Sequence, residues 1–243
     1  MGDNNRPHSI KYFILVIMVF NTCFVFCQDR YSEFALTGRG DLELVGNSYK
    51  LQKETYNAFI KMQQAALRDH ISIQIVSSYR SYNHQKNIWN RKFNKFISEG
   101  LSHNEAINKI IQYTTIPGTS RHHWGTDIDI IDGSVKPVRN MLVEDNYLND
   151  GIYSKLKQWM DLNSEKFGFY LVYNNDVKRK GFKYEPWHYS YKVLSKKMLE
   201  DYTLIDLSVF YETKKLNGRQ YLTSEFLEKY REEHIFDVDL KLK

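Results

Sequence analysis

The amino-acid sequence predicts an α+β fold, and three observations carry that expectation. Apolar residues recur at helical spacing between about residues 48 and 113, two-residue alternation appears at 71–76 and 125–131, and aromatic-rich extended stretches cluster after Gly168. Helices that come early and strands that gather late suit an α+β domain better than alternating βαβ units. The 243 residues suffice for one sizeable domain, or one domain with an extension. A composition of 42% hydrophobic and 15% aromatic residues supports a packed core and excludes wholesale disorder.

The elements follow in order. Residues 31–47 read as irregular, broken by Gly38, Gly40 and Gly46. A helix is expected from Ser48 to Arg68, with Leu51, Phe59, Met62 and Ala66 on one face, closed by Asp69-His70. Ile71, Ile73 and Ile75 mark a strand, and a second helix should run from Ser81 to Ser98 over Ile88, Trp89, Phe93, Phe96 and Ile97. Ser102 followed by Glu105 is a capping box, opening a short third helix that ends near Tyr113. Pro117-Gly118 makes 114–119 a loop, and Gly125 to Ile131 alternates as a strand with Asp127 and Asp129 on one face.

A further helix from Ser154 to Lys166 should stop at Gly168. Phe169–Tyr173 and Tyr184–Tyr191 then read as strands, joined through Asn174-Asn175-Asp176 and a basic tip at Lys178–Lys183. The tail beyond Thr203, residues 204–243, is expected to be a packing extension with one helix, Ser224–Glu233.

A formal charge of +5, with both signs interspersed, offers no basic stripe for nucleic acid. At the start of the chain, Arg6, His8 and Lys11 precede the apolar runs Tyr12–Phe20 and Cys23–Cys27. That is too short and interrupted for a spanning helix of about 20 apolar residues, and reads as a secretory signal over 1–27, with cleavage near Cys27-Gln28. The expectation is export to the periplasm or cell envelope, without stable membrane insertion after cleavage. Both cysteines lie in that leader, so residues 28–243 hold neither a disulfide nor a thiolate nucleophile.

Two separated motifs carry the chemistry. The first is Ser120-Arg121-His122-His123-Trp124-Gly125-Thr126-Asp127-Ile128-Asp129, and the second is Glu185-Pro186-Trp187-His188. A catalytic zinc takes three protein ligands, keeps one position open and has a separate carboxylate beside the attacking water. His122 and Asp129 stand seven positions apart across Gly125, which tolerates the backbone bend that would bring them together. His188 offers the third ligand, and Glu185, three residues earlier, could take a proton if the chain bends at Pro186. Spacing alone leaves two choices open, since His123 could replace His122 and Asp127 could replace Asp129.

The pattern Ser-x-His-x-x-Gly-x-x-x-Asp, then Glu-x-x-His, preceded by Ser77-Ser78-Tyr79-Arg80-Ser81, resembles the VanY-type D-alanyl-D-alanine carboxypeptidases from about Leu51 to Tyr191. The resemblance implies a central antiparallel sheet carrying a zinc site, flanked by helices, as in the hedgehog and D,D-peptidase fold. It implies one zinc per chain on His122, Asp129 and His188, with Glu185 as general base and Arg80 steadying the oxyanion. It also matches Ser120 and Gln85 to positions of substrate contact, and Tyr191 is expected either to line the cleft as a substrate-binding residue or to pack in the core. The implied substrate is the terminal D-Ala-D-Ala of peptidoglycan stem peptides. Export fits that substrate and argues against a cytoplasmic dipeptidase relative.

The chain departs from many members at Asp127, where a small residue is common, and at His123, where Gln or another polar residue is. Other readings on the same scaffold are an L,D-carboxypeptidase, a peptidoglycan endopeptidase, or a non-catalytic zinc-stabilised binding domain. Glu185 weighs against the last, because a purely structural metal site has no use for a base.

Overall fold

A computed structural model describes residues 1–2, 30–40, 42–212 and 214–243; from residue 3 onward the expected leader lies outside the described residues, both cysteines included. Among those described, no helix is long and apolar enough to cross a membrane.

A one-turn helix α1 (Glu33–Leu36) leads to two short paired strands, β1 (Leu44–Val45) and β2 (Leu51–Gln52). Helix α2 (Lys53–Arg68) therefore starts five residues later than periodicity suggests, because Leu51 and Gln52 are held in pairing. Its buried Phe59, Met62 and Ala66 form the expected stripe, and His70 closes the turn in the left-handed region at φ 61°. After β3 (Ile73–Ser77), the Ser81 hydroxyl caps α3 (Tyr82–Ser98) by accepting from the His84 N–H, and Trp89 and Phe93 go inside. Both halves of the Ser102/Glu105 capping box are present on α4 (His103–Ile110).

Strand β4 (Asp127–Asp132) follows, then α5 (Ser154–Asn163), which tightens into a 3₁₀ turn and ends at Gly168 with φ +80°. Strands β5 (Phe169–Leu171) and β6 (His188–Tyr191) are both shorter than expected. Residues 185–188 form a turn instead of a strand, with Pro186 and Trp187 at its centre and the His188 N–H donating to the Glu185 carbonyl. Proline lacks the N–H a ladder needs, so Pro186 carried that signal. The chain ends with α6 (Lys192–Tyr202), α7 (Leu207–Glu212) and α8 (Ser224–Tyr230), two helices more than the sequence reading gave.

The main sheet has the order β3-β4-β6-β5 with every neighbouring pair antiparallel. Period-2 alternation then sorts β4 into two faces. Ile128 and Ile130 join a core with Phe59 and Met62 of α2 and Leu156 and Met160 of α5. Asp127 and Asp129 point the other way, and the register sets Asp129 opposite His188 and Asp127 opposite Ser190. Beyond that polar face, a second core gathers Trp89, Trp124 and Val172 with Phe210, Leu227 and Tyr230 of the tail.

Candidate active site and metal centre

Each side chain of the two motifs is aimed by a specific backbone device. A bulge between Ile75 and Ser77 bends the end of β3, and the Ser78 carbonyl there lies 2.8 Å from His122 Nδ1. His122 sits in a 3₁₀ turn, Arg121–Trp124, that Gly125 terminates in the left-handed region at φ +66°. A Cβ on Gly125 would meet Leu44 Cδ2 at 2.7 Å, so this turn needs glycine twice over. Since His122 Nδ1–H donates to Ser78, its Nε2 carries the lone pair; this atom is buried and without a hydrogen-bond partner. It faces Asp129 Oδ2 at 3.3 Å, while Asp129 Oδ1 is likewise unpartnered.

His188 completes the group: one ligand atom from each of His122, Asp129 and His188 lies within 4.8 Å of the others, and all three residues are buried. The two imidazoles stack with centroids 4.7 Å apart. Two nitrogens and one oxygen, two of them without partners, form a donor set suited to a divalent borderline metal such as zinc. Glu185 stands beside them, its Oε2 2.9 Å from His188 Nδ1. Burial pushes the Glu185 carboxyl up, and its His188 hydrogen bond offsets that only in part. Burial also disfavours charge on Asp129, yet His122, His188 and Arg80 hold it well below the usual carboxylate range.

Asp127 falls outside that group, and four donors already occupy its carboxylate. Arg121 Nε (3.1 Å), Thr126 Oγ1 (2.8 Å), Ser190 Oγ (2.6 Å) and His188 Nε2 (2.8 Å) all reach its oxygens. Arg121 Nη2 also donates to Ser190 Oγ at 2.7 Å, and its guanidinium lies 4.6 Å from the Trp124 ring centroid. The Asp127 bond holds the Nε2 proton of His188 and so directs Nδ1 toward the site, a role carboxylates play behind metal-bound histidines.

His123 is likewise accounted for. Its Nδ1 donates to the Arg80 carbonyl and its Nε2 accepts the Gly118 N–H at 3.0 Å. Burial pushes its pKa down to about 3, which keeps the ring neutral and able to do both. It is a strut between two backbone segments, and Gly38 packs so closely that a Cβ there would strike the ring at 2.3 Å.

A cavity of about 460 Å³ opens over the group, lined by Arg80, Ser120, His122, Asp129, Glu185 and His188 among others. Ser120 Oγ and Arg80 Nε are buried without partners. Two expected members are elsewhere. Gln85 lies behind the wall, accepting from Arg80 Nη1 at 3.0 Å and donating to the Thr115 carbonyl at 2.9 Å. Tyr191 does not line the cavity: it alternates to the opposite face of β6 from His188, packs on Phe169 and donates to Glu54 Oε1 at 2.8 Å.

The loop before His122 is held from the far end of the chain. Tyr202 and Tyr211 hydroxyls donate to the Gly118 and Pro117 carbonyls, each at 2.6 Å. The Tyr230 hydroxyl accepts from the Ile116 N–H at 3.2 Å and bonds Thr119 Oγ1 at 3.1 Å.

The family model for VanY, D-alanyl-D-alanine carboxypeptidase, matches residues 48–194. The chain belongs to the VanY family. A curated relative, the D-alanyl-D-alanine carboxypeptidase of Enterococcus faecalis (strain ATCC 700802 / V583), is 27% identical over 155 residues. That match takes in 62% of this chain and 52% of the relative, so the chain spans about half the length of that curated relative. Among solved structures, VanYB in complex with D-alanine-D-alanine is similar at TM-score 0.53 and 23% identity, over 73% of this chain and 92% of that one. A mutant of the vancomycin-resistance D,D-pentapeptidase VanY, in complex with Zn(II), gives TM-score 0.52 and 22% identity, over 75% and 90% respectively. Both share the fold, a mixed one of helices about an antiparallel sheet.

Within this VanY fold, Arg121, Ser190 and the three tail tyrosines escaped the sequence reading. Ser190 was findable, since it sits two residues after His188 on the same strand face. Arg121 looked like any polar neighbour, and only its burial at 2% exposure reveals it.

Proposed function

We propose that this VanY-family chain is a zinc-dependent carboxypeptidase that hydrolyses the terminal D-Ala-D-Ala bond of peptidoglycan stem peptides. The observation that carries the reading is a buried carboxylate, Glu185, standing in an open cavity beside a His-Asp-His group with unpartnered ligand atoms. His122 through Nε2, Asp129 through a carboxylate oxygen and His188 through Nδ1 would hold one zinc per chain. When bound, the zinc supplies Lewis acidity that brings a water's pKa toward 7 and polarises the scissile carbonyl.

The chain's own groups supply the rest. Glu185 takes the proton of the attacking water and returns it to the departing amine; its burial-raised pKa strengthens it as a base. Arg80 remains charged despite burial and faces the cavity to stabilise the oxyanion that develops. Gln85 fixes the Arg80 fork, and Ser120 offers its free hydroxyl to the peptide. The envelope is where such a substrate is met, in keeping with the leader expected at 1–27.

Incubating purified protein with defined tetra- and pentapeptide stems, followed by mass spectrometry, tests the reading. Loss of one terminal residue from the pentapeptide is expected; trimming of the tetrapeptide alone would indicate L,D-specificity, and no cleavage of either would refute the assignment.

Two predictions concern the metal itself. His122→Ala should lose most of the bound zinc, whereas His123→Ala should keep one zinc per chain and lose roughly 1–3 kcal/mol of stability, because Gly118 and Arg80 lose a buried partner. Metal analysis beside thermal unfolding separates the two. Zinc uptake should also release a proton. Burial disfavours charge on His188, but the hydrogen bonds it donates to the Asp127 and Glu185 carboxylates overcome that and push the pKa up to about 10. A ligand nitrogen must shed its proton, so zinc affinity should rise with pH, up to about tenfold per unit below that pKa. Calorimetry in two buffers of different ionisation enthalpy reads the proton count directly.

A further inference from the structure

Lys92 belongs to none of the motifs, yet it lines the same cavity. It sits seven residues beyond Gln85 on α3, two helical turns and about 10 Å along the same face. Its ammonium donates to Thr114 Oγ1, one bond for a group with three donors. Among the described residues no carboxylate lies within ion-pair distance of it.

The neighbouring carboxylates are committed elsewhere. Asp127 is filled by Arg121, Thr126, Ser190 and His188; Asp129 faces His122; Glu185 bonds His188. Glu144, on the cavity lining, is exposed to solvent and, among the described residues, pairs with no cation. Burial and the nearby Arg80 charge hold the Lys92 pKa below that of an ordinary lysine. A half-buried ammonium without a counter-ion is unfavourable by itself, and an anion entering the cavity would remove that penalty. A bond to Thr114 needs only a neutral donor, and the Glu185 charge offsets the burial only in part.

We propose that Lys92 is the carboxylate-recognition group of this cavity, pairing with a free carboxylate of the bound peptide. The inference rests on the peptidase reading above and adds a specificity-determining residue to it. The carboxylate is either the peptide's own C-terminus or an internal one, and the test separates these sources.

Zinc-loaded full-length enzyme is assayed on one stem peptide in three forms: free C-terminal acid, C-terminal amide, and free acid with its internal carboxylates amidated. Lys92→Gln keeps a donor for Thr114 and removes the charge, while Lys92→Arg keeps the charge. Wild type and Lys92→Arg should prefer the free acid over the amide by about 10–100-fold in kcat/KM, expressed mainly in KM. Lys92→Gln should reduce that preference to less than about threefold. If the preference that disappears is instead for the internal carboxylate, the same chemistry holds with the internal group as its source. An equal loss on all three peptides, or an undiminished preference in Lys92→Gln, overturns the proposal. Calorimetric binding of the same peptides to Glu185→Ala protein, with and without Lys92→Gln, reads recognition without turnover. A wild type that hydrolyses nothing would therefore refute the peptidase reading while leaving Lys92 separately tested.

Discussion

Glu185→Ala protein should hold one zinc per chain and hydrolyse D-Ala-D-Ala-terminated peptides about 10²–10⁴-fold more slowly than wild type, the range spanned by loss of a positioned general base. The loss should fall on kcat more than on KM, because the proton transfer belongs to the transition state and not to peptide binding. The geometry makes the variant clean. Glu185 is held by its backbone, donating its N–H to the Tyr173 carbonyl, so truncating the side chain leaves the turn at 185–188 in place. Metal analysis with steady-state kinetics checks both halves. Activity within a few-fold of wild type would show that another group takes the proton, and loss of zinc would show that Glu185 holds the metal.

Asp127→Ala should damage stability and metal affinity together. The carboxylate is fully buried, and its removal leaves Arg121 as an uncompensated buried charge, a situation that costs about 3–5 kcal/mol. In a protein of this size that corresponds to a drop of roughly 6–20 °C in Tm. His188 loses the acceptor that fixes its Nε2 proton, so zinc affinity should fall about 10–100-fold as well. Thermal unfolding with and without zinc, beside a chelator competition, measures the two effects. An Arg121→Met, Asp127→Ala double variant should recover much of the stability and none of the lost affinity, since it removes the orphaned charge without restoring the acceptor. Equal recovery of both would mean that Asp127 serves packing alone.

The contrast between legible and hidden parts of this site follows chain distance. Gly125, Gly168 and the Ser102/Glu105 box are local devices, fixed by a few adjacent residues, and each has the expected form. The β4 alternation is also local, and it alone puts Asp127 and Asp129 on one face. Which of the two faces a metal depends on what the opposite strand and the neighbouring turn supply, namely Ser190 and Arg121 for Asp127 and His122 for Asp129. Tyr191 could be read as cleft or core from its position, and it lies in the core for the same reason. Proximity in sequence to His188 says little when successive strand residues point to opposite faces. The late helices escaped because α6 follows β6 without a break, with no turn signal between Tyr191 and Lys192.

The tyrosine contacts on the loop at 116–119 bear on how such a protein changes over generations. The match to the VanY family model ends at residue 194, before Tyr202, Tyr211 and Tyr230. A gene cut at that boundary would still encode His122, Asp129, His188 and Glu185, yet none of the phenols that tether the approach to His122. A substitution at any of these three tail tyrosines therefore acts on the loop that carries the approach to His122, through a buried hydrogen bond made from far along the chain.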